Sequence, residues 1–274
     1  MQKIALSGII VFIAAMLGVS GAWALDLSGK VLSILEEKPI QGATVELWYY
    51  EGSSKLNTVT TPADGSFFFN GLASNGQGHY QLIGKKDGYI NVSSDTLNPS
   101  NNITDFILNL ISLEQLNTFV PGIDEDAGYV LGYIGLMNAT DTGVEGVSIS
   151  VTGTIPSNII YLGEDYQPWD NAYTSKLGVF IIVVNTFDTP DPAMVPDGYP
   201  LSWKDIIIKG QKDGWVIASG PSTRVFPFNA TEGKIVTMYQ TMGFELDNAS
   251  GEEDGGDDGG GGGGCFIATA ALGS

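Results

Sequence analysis

Residues of chemically useful type crowd one stretch in the second half of the chain: Tyr161, Glu164, Asp165, Tyr166, Pro168, Trp169, Asp170, Asn171 and Tyr173. Aromatic faces stack on sugar rings, while carboxylates and amides bond sugar hydroxyls. Tyr161, Glu164, Tyr166, Trp169, Asp170 and Tyr173 are therefore the candidate ligand-binding set, and their composition suits a polysaccharide. It equally suits a loop that folds back and buries its own aromatics against Phe187, Tyr199 and Trp203. The proline-rich stretch from Asp188 to Pro200 follows; its stiffness lowers the entropy lost on binding, which fits an interaction surface.

Catalytic chemistry has little to draw on. Nucleophilic catalysis needs a nucleophile, a base and an orienting group, and a hydrolytic zinc site needs about three His, Cys or carboxylate ligands. One histidine, His79, and one cysteine, Cys265, supply neither. His79 has no partner at a recognisable spacing and reads as a strand-edge residue. No carboxylate pair is marked out as a glycosidase couple. Asp124, Glu125 and Asp126 offer the oxygens that Ca²⁺ prefers, but three adjacent acids cannot all converge on one ion, and a solvated linker is the plainer reading. The expectation is a protein that is not an enzyme, with no catalytic residue, no cofactor and no metal.

Bulk charge narrows the partners. The 274 residues carry a formal charge of −19, and no Lys/Arg cluster offers a phosphate-contacting patch, so nucleic acid is not an expected partner. A single Cys forms no internal disulfide, so the fold must be held by its core.

The elements that position these residues repeat a pattern. Gly42-Ala43-Thr44-Val45-Glu46-Leu47 is followed by Asp64-Gly65-Ser66-Phe67-Phe68-Phe69 and then by Lys85-Lys86-Asp87-Gly88-Tyr89. Later come Glu145-Gly146-Val147-Ser148-Ile149-Ser150-Val151, Lys176-Leu177-Gly178-Val179-Phe180-Ile181 and Lys212-Asp213-Gly214-Trp215-Val216. Alternation after Val45 is the two-residue period of a strand with one buried face, and Asp-Gly supplies the positive φ of a tight turn. A hairpin around Asp64-Gly65 is expected. Val45, Leu47 and Phe67 or Phe69 are expected in the core, which leaves Trp48 and Tyr50 completing a side of the sandwich or facing a partner, a sugar or the neighbouring domain. Each copy also has an opening strand (Leu27 to Val31, Val130 to Ile134) and a closing one (Thr104 to Leu110, Gly233 to Tyr239).

The order Gly-x-Val, Pro-Ile-x-Gly-Ala-x-Val, Asp-Gly-x-Phe, Lys-x-Gly-Tyr resembles the carboxypeptidase regulatory-like domain over roughly residues 26 to 112. The resemblance implies a seven-stranded transthyretin-like β-sandwich and brings no catalytic residue with it. The second copy departs at Leu177-Gly178, at Trp215 and by a long insertion between Val151 and Lys176. The expected fold is all-β: two tandem transthyretin-like β-sandwiches with a disordered Gly/Asp-rich C-terminal tail.

At the N-terminus, Lys3, an apolar run from Ile4 to Val19 and Ala22-Trp23-Ala24 read as a secretory signal peptide. No membrane span is expected in the mature chain. At the other end, acidic residues run into Gly259 to Gly264, a flexible linker. Cys265-Phe266-Ile267-Ala268-Thr269-Ala270-Ala271-Leu272-Gly273-Ser274 resembles the start of the CFI-box domain of exported bacterial proteins, which implies Cys265 as a point of attachment or modification. The divisions are then 1–24 signal peptide, 25–115 first sandwich, 116–127 linker, 128–243 second sandwich, 244–264 acidic linker and 265–274 CFI-box-like motif. The whole reads as a secreted or cell-surface structural, adhesive or interaction protein that meets a polysaccharide or a surface protein. Its alternative is a carbohydrate-binding module using the aromatic insertion.

Overall fold

The computed structural model describes residues 24–246, apart from positions 35, 51–53, 74–78, 100, 138, 153–157, 196, 198, 219–221 and 231–233. The expected signal peptide up to Trp23, the Asn75 to Gly78 loop, the Gly-rich linker and Cys265 lie outside the described residues.

Seven strands build the first sandwich: β1 (Ala24–Ser33), β2 (Thr44–Tyr49), β3 (Ser54–Thr60), β4 (Ser66–Ala73), β5 (Tyr80–Lys85), β6 (Asn91–Ser94) and β7 (Ile103–Leu110). One sheet has the order β4-β1-β7, with β1 antiparallel to β4 and parallel to β7; the facing strands run β3-β2-β5-β6. Val45, Leu47, Phe67 and Phe69 all lie in the core between these layers, as the alternation predicts. Gly65 takes φ +71° and Gly88 φ +84°, which only glycine adopts at little cost.

The Asp64-Gly65 turn does not close a hairpin. Strand β3 before it pairs with β2, whereas β4 after it pairs with β1, so the turn carries the chain from one layer to the other. Turn chemistry specifies a reversal; the partner of the next strand is chosen by which edge is open across the core. The Asp87-Gly88 turn does join antiparallel neighbours, β5 and β6.

Between the sandwiches lies helix α1 (Leu113–Phe119), which spans the expected boundary between the first sandwich, ending at 115, and the linker, starting at 116. Ser112 accepts from Gln115 N, and the Gln115 side chain accepts from Ser112 N, a complete capping box. Its Leu116 and Phe119 are buried.

The second sandwich comprises β8 (Gly128–Leu136), β9 (Ala139–Gly143), β10 (Ser148–Thr152), β11 (Asn158–Leu162), β12 (Pro168–Trp169), β13 (Val179–Val184), β14 (Lys204–Gln211), β15 (Trp215–Ile217), β16 (Thr223–Val225) and β17 (Ile235–Glu245), with a short 3-10 turn at Pro192–Met194. A β10-β14-β16 sheet faces a larger one ordered β12-β11-β13-β8-β17. Val130, Ile134, Val147, Phe180, Ile182 and Ile206 fill the space between them.

The larger sheet does not stop at β17. Ile235 to Met238 pair in parallel with Asn91 to Ser94 of β6, so the two sandwiches share one continuous sheet. Both faces of its middle are covered. On β8, Val130 and Ile134 point into the second core while Tyr129 and Leu131 join the core that holds Leu116 and Phe119 of α1. That double burial explains why Tyr129-Val130-Leu131 reads as a near-continuous apolar run rather than an alternating one.

Candidate functional site

The six candidate residues of the insertion separate into two groups. The insertion forms β11 and β12, which extend the sheet beyond β13: Asn158 to Tyr161 pair with Val183 to Phe180, and Tyr161 and Leu162 pair with Trp169 and Pro168. Tyr161 is buried, and its hydroxyl accepts from Ile149 N at 2.9 Å, tying β11 to β10 across the core. Burial pushes that phenol's pKa up. Tyr166 turns the other way and stacks on Phe119 of α1, with ring centroids 5.8 Å apart and planes at 22°.

What remains on the surface is smaller. Trp169 and Tyr173 meet edge to face at 5.5 Å, and Trp169 and Asp170 line an open groove of about 750 Å³ together with Ile149, Ile159 and Tyr161. Glu164 stands apart, exposed, with Lys176 at 3.8 Å. The groove thus combines one half-buried indole and one exposed carboxylate, and the 40 % exposed Tyr173 ring meets that indole without lining the groove.

Of Phe187, Tyr199 and Trp203, only Phe187 shares a core with the insertion, the one that also holds Tyr161. Phe187 lies against the second core, while Tyr199 and Trp203 belong to a separate aromatic cluster at the seam between the sandwiches. The proline-rich stretch crosses to the first sandwich and sets Tyr199 against Trp48 at 4.9 Å, against Trp203 at 5.7 Å and against Phe226 at 5.6 Å. Trp48 has no exposed surface and Tyr50 is 8 % exposed. Of the roles open to these two aromatics, meeting the neighbouring sandwich is the one they take. Strand β2 is buried on both faces, a state that local alternation cannot reveal.

Arg224 organises the polar part of this seam, and its position in β16 carried no signal in the sequence. Its guanidinium forms two bonds to Asp205, at 2.9 and 3.1 Å, and donates to the Tyr199 hydroxyl at 3.1 Å and the Tyr50 carbonyl at 3.3 Å. It lies over the Tyr50 ring at 4.0 Å and the Trp203 ring at 4.4 Å. Burial works against its charge, yet the bonds to Asp205 raise the pKa further, so it stays a cation. Gln81 extends the network, accepting from the Tyr199 hydroxyl at 3.0 Å and donating to Ser93 at 2.7 Å.

Glu46 is the matching buried acid on β2. Burial alone would raise its pKa, but Lys85 at 2.9 Å, Trp48 Nε1 at 3.0 Å and Lys55 at 3.4 Å more than offset this and lower it. Asp95, just past β6, has the opposite balance. Burial pushes its carboxyl up to about 7, against a bond from the Gln240 backbone N–H of β17.

The linker acids are exposed, and Glu125 bonds Lys234 at 2.6 Å and Asn229 at 2.8 Å. No group of three His, Cys, Asp or Glu side chains suited to a metal occurs among the described residues. His79 immediately precedes β5, its carbonyl accepting from Tyr50 N and its ring edge-on to Tyr50 at 6.4 Å. No helix among the described residues is long and apolar enough to cross a membrane.

No protein-family model and no curated protein matches the sequence. Among solved structures, the chain is similar to the Bacillus anthracis TIE protein (11 % identity, TM-score 0.28), covering 81 % of this chain and 34 % of that one. It is also similar to a streptococcal ancillary pilin (13 % identity, TM-score 0.26, 81 % of this chain and 63 % of that one). A third is the shaft pilin SpaA of Lactobacillus rhamnosus GG (10 % identity, TM-score 0.26, 81 % and 98 %). The chain thus spans about a third of the first of these proteins and under two thirds of the second. With TM-scores this low, the architecture rests on the strand pairing described above rather than on the likeness.

Proposed function

We propose that the protein is an exported, non-catalytic structural or adhesive component of the bacterial cell surface. In this reading residues 1–24 are a signal peptide, 25–115 and 128–243 are carboxypeptidase regulatory-like sandwiches joined by 116–127, and 244–264 tether the CFI-box-like motif at 265–274. The observation that carries it is the β6–β17 pairing, which makes one continuous sheet from two sandwiches and spends Trp48, Tyr50, Tyr199 and Arg224 on holding them together. A body built that way suits a spacer or a display platform. Protease shaving of intact cells, followed by peptide mapping, tests it: peptides from both sandwiches are expected in the shaved fraction. Protein recovered solely from the cytoplasm, with Met1 intact, overturns the reading. On the same reading Cys265 is the attachment point, and Cys265→Ala releases folded protein into the medium; equal surface retention of the two forms removes that role.

A second reading has its own observation. The groove lined by Trp169 and Asp170, with Tyr173 against the indole, keeps aromatic surface open beside a carboxylate, which fits a polysaccharide chain. Binding on a glycan array that Trp169→Ala abolishes without changing the melting temperature supports it. No binding by the wild type, or loss of fold in the variant, defeats it.

A further inference from the structure

Five of the chain's asparagines begin an Asn-x-Ser/Thr triplet with x other than Pro: Asn91, Asn102, Asn138, Asn229 and Asn248. With roughly one residue in seven being Ser or Thr, chance placement gives about two. Such a triplet is the acceptor signal for an N-linked glycan, and it requires an amide nitrogen and a hydroxyl that one enzyme surface reads together.

The fold sorts the triplets. Asn91 opens β6 inside the shared sheet, between β5 and β17, and the backbone N–H of Asn91 donates to Lys234 O at 2.7 Å. Its Ser93 has no exposed surface, and that hydroxyl accepts from Gln81 and donates to the Ser94 carbonyl at 3.0 Å. A sugar there would have to part the seam. Asn229 is exposed, but its Nδ2 donates to Glu125 at 2.8 Å. The side chains of Asn138 and Asn248 lie outside the described residues.

Asn102 differs from Asn91 and Asn229. It is exposed, it immediately precedes β7, and β7 is an end strand of the β4-β1-β7 sheet. Thr104 is exposed too, while Ile103 between them is 7 % exposed and points into the core. The two-residue period of extended chain therefore sets the amide and the hydroxyl on one outward face. The Asn102 Oδ1 accepts from Asp26 N at 3.0 Å, which fixes the side chain and turns Nδ2 away from that bond.

We infer that Asn102 is a glycan acceptor. Its Nδ2 attacks the anomeric carbon of a lipid-phosphate-linked oligosaccharide. The new C–N bond forms as the bond from that carbon to the phosphate oxygen breaks; the lipid phosphate leaves with the electron pair, and the amide proton goes to a base of the transferase. The inference rests on the export reading, because acceptor and donor meet only beyond the cytoplasmic membrane.

Peptide mass spectrometry on full-length protein from the envelope of the producing cells tests it. The peptide containing Asn102 should carry the mass of a glycan, and the peptide containing Asn91 should not. Asn102→Gln and Thr104→Ala should each lose that mass, and Thr104→Ser should keep it. Exported protein whose Asn102 is unmodified overturns this inference and leaves the export reading intact. Recovery from the cytoplasm alone overturns both. A glycan on Asn91 in place of Asn102 overturns the selection that the fold makes.

Discussion

The two sandwiches repeat one another bond for bond at their turns and differ at their edges. In the first, Thr61 Oγ1 donates to Ile40 O at 2.6 Å and accepts from Ala43 N at 2.9 Å; in the second, Thr174 Oγ1 donates to Val144 O at 2.6 Å and accepts from Val147 N at 3.0 Å. Val31 N donates to Gly65 O and Ile134 N to Gly178 O, with both glycines at positive φ. The Leu177-Gly178 departure from Asp-Gly therefore leaves the turn intact, because the glycine does the conformational part. At the edges the copies part ways. Strand β4 ends its sheet, whereas its counterpart β13 is extended by β11 and β12; β7 ends its sheet, whereas its counterpart β17 takes β6. Insertion and seam are two instances of one device, a strand added to an edge that would otherwise expose unpaired backbone.

The largest loss of stability is expected at the seam. Trp48→Ala empties a fully buried indole site and should cost about 3–5 kcal/mol in urea unfolding, whereas Tyr173→Ala at the exposed surface should stay within about 0.5 kcal/mol. Equal costs would deny that the seam is part of the core. Next come the paired threonines. Thr61→Val and Thr174→Val each leave a buried backbone N–H and C=O without their hydroxyl partner, so each should lose about 1–3 kcal/mol, by similar amounts if the turns are equivalent. A clear inequality would single out the turn whose threonine holds its sandwich more tightly.

A pH series reads the seam more gently. Because burial raises the Asp95 carboxyl to about 7, the folded state holds its proton longer than the unfolded chain, whose Asp titrates near 4. Stability from this group is full below about pH 4 and falls as pH rises toward about 7, the sign that linkage requires when the native state binds more protons. Asp95→Asn should flatten the urea midpoint over this window relative to wild type; an unchanged slope would place the carboxyl in water. The smallest effect belongs to the exposed Glu125–Lys234 pair. Lys234→Ala should cost no more than about 1 kcal/mol, and less in high salt.

What was legible in the sequence is what neighbouring residues decide. Positive-φ glycines, the alternation of Val45 and Leu47, and the opening and closing strands are local, and they stand where the pattern put them. No hairpin forms at Asp64-Gly65, because a turn sets a direction while a distant strand edge sets the pairing. Trp48 and Tyr199 meet across 151 positions of chain, so no window could join them. Tyr161 and Tyr166 lie close in sequence yet serve opposite faces of the sheet, which composition could not separate. Helix α1 could have been found: Ser112 and Gln115 spell a capping box ahead of Leu116 and Phe119.

The shared sheet also dictates when the molecule can be finished. Strand β6 is made early and its partner β17 last, with about 140 residues between Ser94 and Ile235. As the chain emerges from its N-terminus, the first sandwich can assemble its own layers, but the outer edge of β6 and the indole of Trp48 wait for nearly the whole second sandwich. Until then a sheet edge and an aromatic patch stand open to any passing chain. Maturation is thus set by the arrival of the last strand, and a nascent protein halted before Ile235 should be the sticky species, bound by holdases that release the completed fold.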